Sequence, residues 1–413
     1  MGRVLDVHCP RCGKPALPEG MGACPDCAVV FDVRVDLAVV PPLGEIRKRP
    51  EMTIWRWREL LPIQDSAAIV SLGEGGTPLV EARRLGGLIG IPRLLVKNDG
   101  LLPTGSLKDR VMSAGVSRAR EIKAKTVATP STGNAAASLA AYAAAAGLDC
   151  IVFVPEGTAP AKMIQAQACG ARVIAVRGPF DNAARLAQQA IATFGWYSTL
   201  SDNPYRNDGM KSYGYEIWEQ LGEVPDWMIH PEASGGAVAG AWKAFGEMRA
   251  LGWVARRPRM AAAQAQAAAA LIRAWEAGRE DAEALTPGAT VAESIRVGRP
   301  RLGWQALRAL RESNGAAVAV TDEEILESQR LLATQEGIFA EPSGAVSVAA
   351  ARRLRRDGTI RDGDLVVAVV TGHGLKQPEA SATPPAPLIE PTLTALERAL
   401  KVWGSGTWTL TRT

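Results

Sequence analysis

From about residue 69 onward, short apolar runs alternate with longer segments of mixed polarity. The runs RLLVKN (93–98), KTVATP (125–130), DCIVFVP (149–155), ARVIAV (171–176), PDWMIHP (225–231) and DLVVAVVTG (364–372) are each closed by turn residues and read as strands. Between them lie the helical segments SLKDRVMSAGVSRAREIKA, NAAASLAAYAAAAG, APAKMIQAQACG, FDNAARLAQQAIATFG and SGGAVAGAWKAFGEMRALG. This alternation predicts an α/β protein with helices packed over open, mainly parallel sheets. One segment contradicts itself. Alanine content makes MAAAQAQAAAALIRAWEAG (260–278) a helix throughout, yet it follows a helix and a proline turn, where the alternation expects a strand. The reading is strand first, helix after about Ala268. Residues 38–60 look like a linker entering an amphipathic segment, and the proline-containing stretch 377–394 looks like a second linker before a terminal helix and tail.

The N-terminus follows another logic. Residues 9–27, CPRCGKPALPEGMGACPDC, place Cys9, Cys12, Cys24 and Cys27 in a C-x2-C-x11-C-x2-C arrangement. Two such knuckles aim four thiolates at one point, the tetrahedral site of a structural zinc with no open position. So small a segment could hardly bury enough apolar surface to fold without metal. A redox CxxC pair is the alternative, but it lacks its usual strand–helix setting here. His8 is surplus to a four-thiolate site.

Composition narrows the classes. With 413 residues the chain has room for two or three domains, and 47% hydrophobic with 22% charged residues is globular rather than disordered. The net charge of +4 comes from 47 basic against 43 acidic residues, with no long basic run, so neither nucleic acid nor a membrane surface is an expected partner. The cluster ARRLRRDG (351–358) reads as the wet face of a helix. No N-terminal apolar region and no uninterrupted apolar run near 18 residues appear, so a cytoplasmic location is expected.

Candidate chemistry lies in polar turns after strands. Ser131, Thr132 and Asn134 gather at a helix start, and the turn containing Ser234, Gly235, Gly236 and Ala237 opens another. Both are arrangements that bind a carboxylate or phosphate through backbone amides. For any one of them, a capped tight turn is the plain alternative. Lys108, in LLPTGSLKDR, opens a helix, where the dipole favours anions over cations. That position needs another reason.

Taken in order, PTGSLKDR, STGNAAASLAAYAA, ASGG, GIFAEPSGA and TGHGLK resemble the fold-type II pyridoxal-phosphate enzymes. Within them SLGEGGTPLV, NPYRNDGMKSYGYEI and VVTGHGLKQP are most similar to the threonine synthases, some relatives of which carry an N-terminal zinc ribbon. The resemblance spans residues 70–378. It implies a zinc ribbon over 1–36, a linker and helix over 37–68, a large cofactor-binding domain from 69–100 and 201–378, a small domain over 101–200, and a C-terminal linker and tail over 379–413. It further implies that Lys108 links covalently to pyridoxal 5'-phosphate, with Asn134 on the ring's 3-oxygen and Ser234, Gly235, Gly236 and Ala237 around the phosphate. Thr371 would face the ring nitrogen, a hydroxyl there leaving that nitrogen largely unprotonated. Ser131 and Thr132 would hold the substrate α-carboxylate, and Lys97, Asn203, Arg206 and Lys211 would serve a substrate phosphate, with a surface salt bridge as the alternative for each.

The implied reaction converts O-phospho-L-homoserine and water to L-threonine and phosphate, in a homodimer. Other readings are β-elimination or β-replacement on serine, threonine or a phosphorylated relative, dehydratase-like or cysteate-synthase-like, and a non-catalytic relative whose ribbon binds a partner. Several residues depart from the threonine synthase pattern: Glu232 in EASGGA, Leu107, Val111, Met210, and EPSGA around Glu341.

Overall fold

The computed structural model describes residues 1–16, 21–158, 160–178, 180–381 and 386–404. The chain forms two compact units, Met1–Pro378 and Glu379–Thr413. The described part of the second contains the helix Leu393–Gly404, whose first turn is capped by Thr392 Oγ1 accepting from the Ala395 amide.

The first unit opens with an antiparallel pair, β1 (Val4–His8) and β2 (Asp32–Val35). Ten further strands make two sheets. They are β3 (Leu79–Glu81), β4 (Leu94–Asn98), β5 (Thr126–Pro130), β6 (Asp149–Pro155), β7 (Arg172–Val176), β8 (Tyr197–Ser198), β9 (Trp227–Pro231), β10 (Arg259–Ala265), β11 (Ala316–Val320) and β12 (Val366–Val370). The larger sheet runs β11-β10-β9-β12-β4-β3 and the smaller β7-β6-β5-β8. Every pairing in them is parallel except β3 with β4.

The strands of the larger sheet are mostly apolar on both faces because both faces are covered. Along β12, Val366, Ala368 and Val370 pack under one set of helices with Ala345, Val346 and Ala349, while Val367 and Val369 face Val238, Ala241 and Phe245. Alternate side chains thus feed two cores, each fully buried valine stabilising the fold by roughly 1.5–3 kcal/mol. The ambiguous alanine segment resolves into β10 followed by the helix Ala270–Glu276. Burial between β9 and β11 overrides alanine's helix preference.

Three strands of the two main sheets are absent from the pattern reading. β3 is a three-residue edge, β8 has only two residues, and β11, AAVAV, is short and alanine-rich. A signal for the end of β11 existed: Thr321 and Glu324 form a capping box that starts the helix Asp322–Glu336.

Candidate active site

The carboxyl ends of β4, β5, β9 and β12 point at one cleft, where an open α/β sheet gathers ligands. It is lined by Lys108, Asn134, Arg206, Glu232, Ser234, Gly236, Ala237, Ser294, Glu341 and Thr371, with Leu107, Val111 and Met210 among its apolar members. Residues from seven stretches of sequence therefore meet.

Lys108 is the first residue of the helix Lys108–Glu121, which has no side-chain N-cap. Its two C-terminal neighbours fix it in place. Asp109 accepts from the Thr104 amide at 2.7 Å, from Thr104 Oγ1 at 2.5 Å and from Ser138 Oγ at 2.6 Å. Fully buried Arg110 donates to Asp99 at 2.7 Å and to Glu216 at 2.7 and 2.8 Å, and Lys97 reaches Glu216 at 2.9 Å. Gly105, at φ +83°, supplies the left-handed turn before this clamp. The Lys108 amine itself makes no hydrogen bond or ion pair among the described residues. Burial, followed by the nearby Arg206 charge, pushes its pKa down to about 8.

Around this amine stand polar groups of three kinds. Asn134 opens the helix Asn134–Ala146, and its amide donates to both Glu341 carboxylate oxygens at 3.1 Å; Ser294 Oγ donates to the same carboxylate at 3.0 Å. Thr371 Oγ1 and Ser106 Oγ are buried and have no partner among the described residues. At the start of the helix Gly236–Ala250, Gly235 adopts φ +91°, and a Cβ there would lie 2.5 Å from the Leu302 carbonyl oxygen, so only glycine fits the turn. Glu232 turns its carboxylate into this helix start, accepting from the amides of Gly235 at 3.0 Å and Val238 at 2.5 Å; burial pushes its pKa up to about 7.

Arg206 is the remaining cation. It is 9% exposed, its Nε has no partner among the described residues, its Nη1 donates to Asn207 Oδ1 at 2.8 Å, and burial pushes its pKa down to about 10. Gly115 makes room for it, since a Cβ at that position would meet the Arg206 Cβ at 3.1 Å.

Of the residues singled out from sequence, Lys108, Asn134, Ser234, Gly236, Ala237, Thr371 and Arg206 line the cleft, and Gly235 forms its turn. Ser131 and Thr132 lie in the turn just before Asn134, where Ser131 Oγ accepts from the Gly133 amide at 3.3 Å. Asn203 is buried and structural: its side chain caps the helix Pro204–Asp208 by accepting from the Arg206 amide, and it donates to the Ser198 carbonyl at 2.7 Å.

Lys97 and Lys211 are not brought to the cleft. Both have fully buried side chains. Lys97 is held by Glu216, the Thr77 carbonyl and Gln220; Lys211 is held by Asp208, Glu247 and the Leu60 carbonyl. A cation whose donors are spent on carboxylates within the core is not available to a ligand, so these two belong to the scaffold. Ser294 was missed by sequence reasoning; it sits in the short 3-10 turn Glu293–Ile295, a stretch the strand–helix alternation did not mark.

The family of pyridoxal-phosphate dependent enzymes matches residues 70–372. The chain belongs to that family. Its relatives include the threonine synthase of Methanocaldococcus jannaschii, 40% identical over 402 residues, covering 95% of this chain and 99% of the relative. That of Methanosarcina acetivorans is 40% identical over 382 residues, 91% of this chain and 93% of its own length. Maize serine racemase shares the fold at a TM-score of 0.64 and 20% identity, over 80% of this chain and 92% of that one.

The cleft fits the family's cofactor: an amine without a partner among the described residues for its aldehyde, an orphaned buried hydroxyl at Thr371, an amide-rich helix start, and a buried guanidinium with donors to spare.

Away from the cleft, the sulfur atoms of Cys9, Cys12, Cys24 and Cys27 all lie within 4.8 Å of one another. A tetrahedral zinc with Zn–S bonds near 2.3 Å separates its sulfurs by about 3.8 Å. Among the described residues, the Cys12–Cys27 and Cys12–Cys24 pairs, at 3.6 and 3.7 Å, are close to that spacing, and Cys9–Cys27, at 3.2 Å, lies inside it.

Proposed function

We propose that this enzyme converts O-phospho-L-homoserine and water to L-threonine and phosphate. The observation that carries the reading is Arg206, a buried guanidinium with an unpartnered Nε, set in the same cleft as Lys108. A buried cation without a carboxylate partner is costly unless a ligand supplies the anion, and a guanidinium is well suited to a phosphate. The relatives named threonine synthase support the same product.

Pyridoxal phosphate, when bound, supplies an aldehyde that captures amines and a conjugated ring that spreads carbanion charge. This chain's residues do the rest. Lys108, with its amine pKa near 8, is neutral in an appreciable fraction at physiological pH and can take the substrate's α-proton and return protons along the carbon chain. Its place at the helix start, held by Asp109 and Arg110, keeps one amine in reach of successive carbons. The turn before Asn134, with Ser131 and Thr132, would take the α-carboxylate. Asn134, oriented by Glu341, would donate to the ring's 3-oxygen, and the Ser234–Ala237 turn would hold the cofactor phosphate. Thr371 would face the ring nitrogen as a neutral partner.

The four N-terminal cysteines would hold a structural zinc, and a reducing cytoplasm would keep them as thiolates. A homodimer is the assembly the resemblance implies, and light scattering on the purified protein tests it.

The deciding experiment is a substrate panel on the purified enzyme. Phosphate and threonine should appear together from O-phospho-L-homoserine, and K108A should abolish both. Release of 2-oxobutyrate from threonine, without phosphate release from phosphohomoserine, would replace this reading with a dehydratase.

A further inference from the structure

We propose that the Glu232 carboxylate is a built-in competitor for the cofactor's phosphate, holding the backbone amides that the phosphate must take. The inference rests on the proposed cofactor site and adds to it a residue that sets how tightly the phosphate is held.

The geometry is specific. Glu232 follows the last residue of β9, and its backbone is tied on both sides: its amide donates to the Ala263 carbonyl at 2.8 Å and its carbonyl accepts from Gln264 Nε2 at 3.2 Å. Only the side chain is free to move. That side chain bends to the start of the helix Gly236–Ala250, where one oxygen accepts from Gly235 and the other from Val238. These amides belong to the turn whose conformation is enforced by Gly235, the anion-holding element of the cleft. A phosphate and a carboxylate cannot both occupy it, because each needs the same donors and like charges repel.

Unpartnered buried groups mark the same cleft as a ligand site rather than a merely capped helix: Arg206 Nε and Thr371 Oγ1 line it and have no protein partner among the described residues. The groups around Glu232 come from several elements. Lys108 stands on the helix Lys108–Glu121, and Arg206 on the helix Pro204–Asp208. Tyr213, from the helix Ser212–Leu221, is engaged with the Ala237 carbonyl and with His230 Nδ1. Glu341 lies across the cleft, and buried His230 on β9 is kept neutral, its pKa pushed down to about 3. The carboxylate gives up the amides by taking a proton or by swinging toward Lys108 and Arg206, neither of which forms an ion pair among the described residues. Since burial already raises the Glu232 pKa to about 7, protonation is accessible near neutrality.

The test uses the full-length protein freed of cofactor with hydroxylamine, as wild type, E232Q and E232A. Pyridoxal phosphate, pyridoxal and inorganic phosphate are each titrated between pH 6 and pH 8.5. The expected result at pH 8 is that E232Q binds pyridoxal phosphate and inorganic phosphate ~10-fold more tightly than wild type, with pyridoxal, which lacks the phosphate, unchanged. The ratio of wild-type to E232Q dissociation constants should shrink toward one at pH 6, where the wild-type carboxyl is protonated.

Equal or weaker phosphate binding by E232Q, or an equal gain for pyridoxal, overturns the proposal. If both variants misfold, the wild type alone decides: its inorganic phosphate affinity should fall as pH rises through 7, although the ligand gains charge, and a rise overturns the idea. Failure of the functional reading shows separately, as no covalent adduct at Lys108 in any of the proteins, and the inorganic phosphate titration still decides the role of Glu232.

Discussion

Asp109 grips Thr104 twice, through the backbone amide at 2.7 Å and through the hydroxyl at 2.5 Å, and so closes the six-residue turn that delivers Lys108 to the cleft. The same carboxylate takes a third bond from Ser138 on the neighbouring helix. Lys108 is thus positioned by the residue beside it rather than by any bond of its own, which leaves its amine free for chemistry.

D109A should therefore damage catalysis through geometry. Three buried donors lose their acceptor, and the expected cost is about 1–3 kcal/mol each at most, with kcat falling ~10–100-fold because the amine is displaced. D109N keeps the shape and part of the bonding and should recover some of the loss. Steady-state kinetics, with borohydride trapping of cofactor on Lys108, checks this.

Arg206 should act on binding of the phosphorylated substrate. R206Q is expected to raise KM for O-phospho-L-homoserine by ~30–100-fold, the value of about 2–3 kcal/mol for a lost charge-assisted contact. Removing the guanidinium also removes a positive charge that lowers the Lys108 pKa, so the pH at which the free amine becomes reactive should move upward from about 8. A pH profile of cofactor capture reads the shift, and an unchanged profile would separate the two residues.

The ion cluster beneath Lys108 makes a stability prediction. Burial alone would raise the Glu216 pKa, but Arg110 and Lys97 bring it down to about 2. A carboxyl with a depressed folded pKa contributes stability that is fully present above its unfolded value near 4.3 and is lost as pH falls through about 2. E216A, which strands two buried cations, should cost about 3–5 kcal/mol, and an E216Q protein should show a flatter dependence of unfolding free energy on pH between 5 and 2. Chemical denaturation across that range decides it.

The cysteine cluster predicts one zinc per chain by elemental analysis. Chelation, or C24S, should lower the melting temperature and unfold residues 1–36 before the rest, since a metal bound only by the folded state is lost with the fold. Hydrogen exchange in that segment checks it, and full protection with no metal present would refute the zinc assignment.

Much of this molecule was legible in its sequence. Strand and helix periodicity marked six of the ten strands of the two main sheets together with β10, because a parallel sheet covered on both faces must be apolar along its length. Lys108 stood out because a cation is misplaced at a helix start, and the glycine-rich turn because only glycine tolerates φ near +91° at Gly235. These are local facts, fixed by a few neighbouring residues.

What only the tertiary structure decided are the partners of the charges. Lys97, Lys211 and Arg206 look alike in sequence, three cations near suggestive motifs. Glu216, from a helix over a hundred residues away, pairs with Lys97, and Glu247 with Asp208 pairs with Lys211, while Arg206 is buried with no carboxylate bonded to it among the described residues. Glu232 likewise reads as an intruder in a phosphate loop until its carboxylate is seen on the Gly235 and Val238 amides. Sequence determines which charges exist and which turns can form; whether a charge is spent or free depends on distances of a few ångströms between remote segments, and those exist only once the chain has folded.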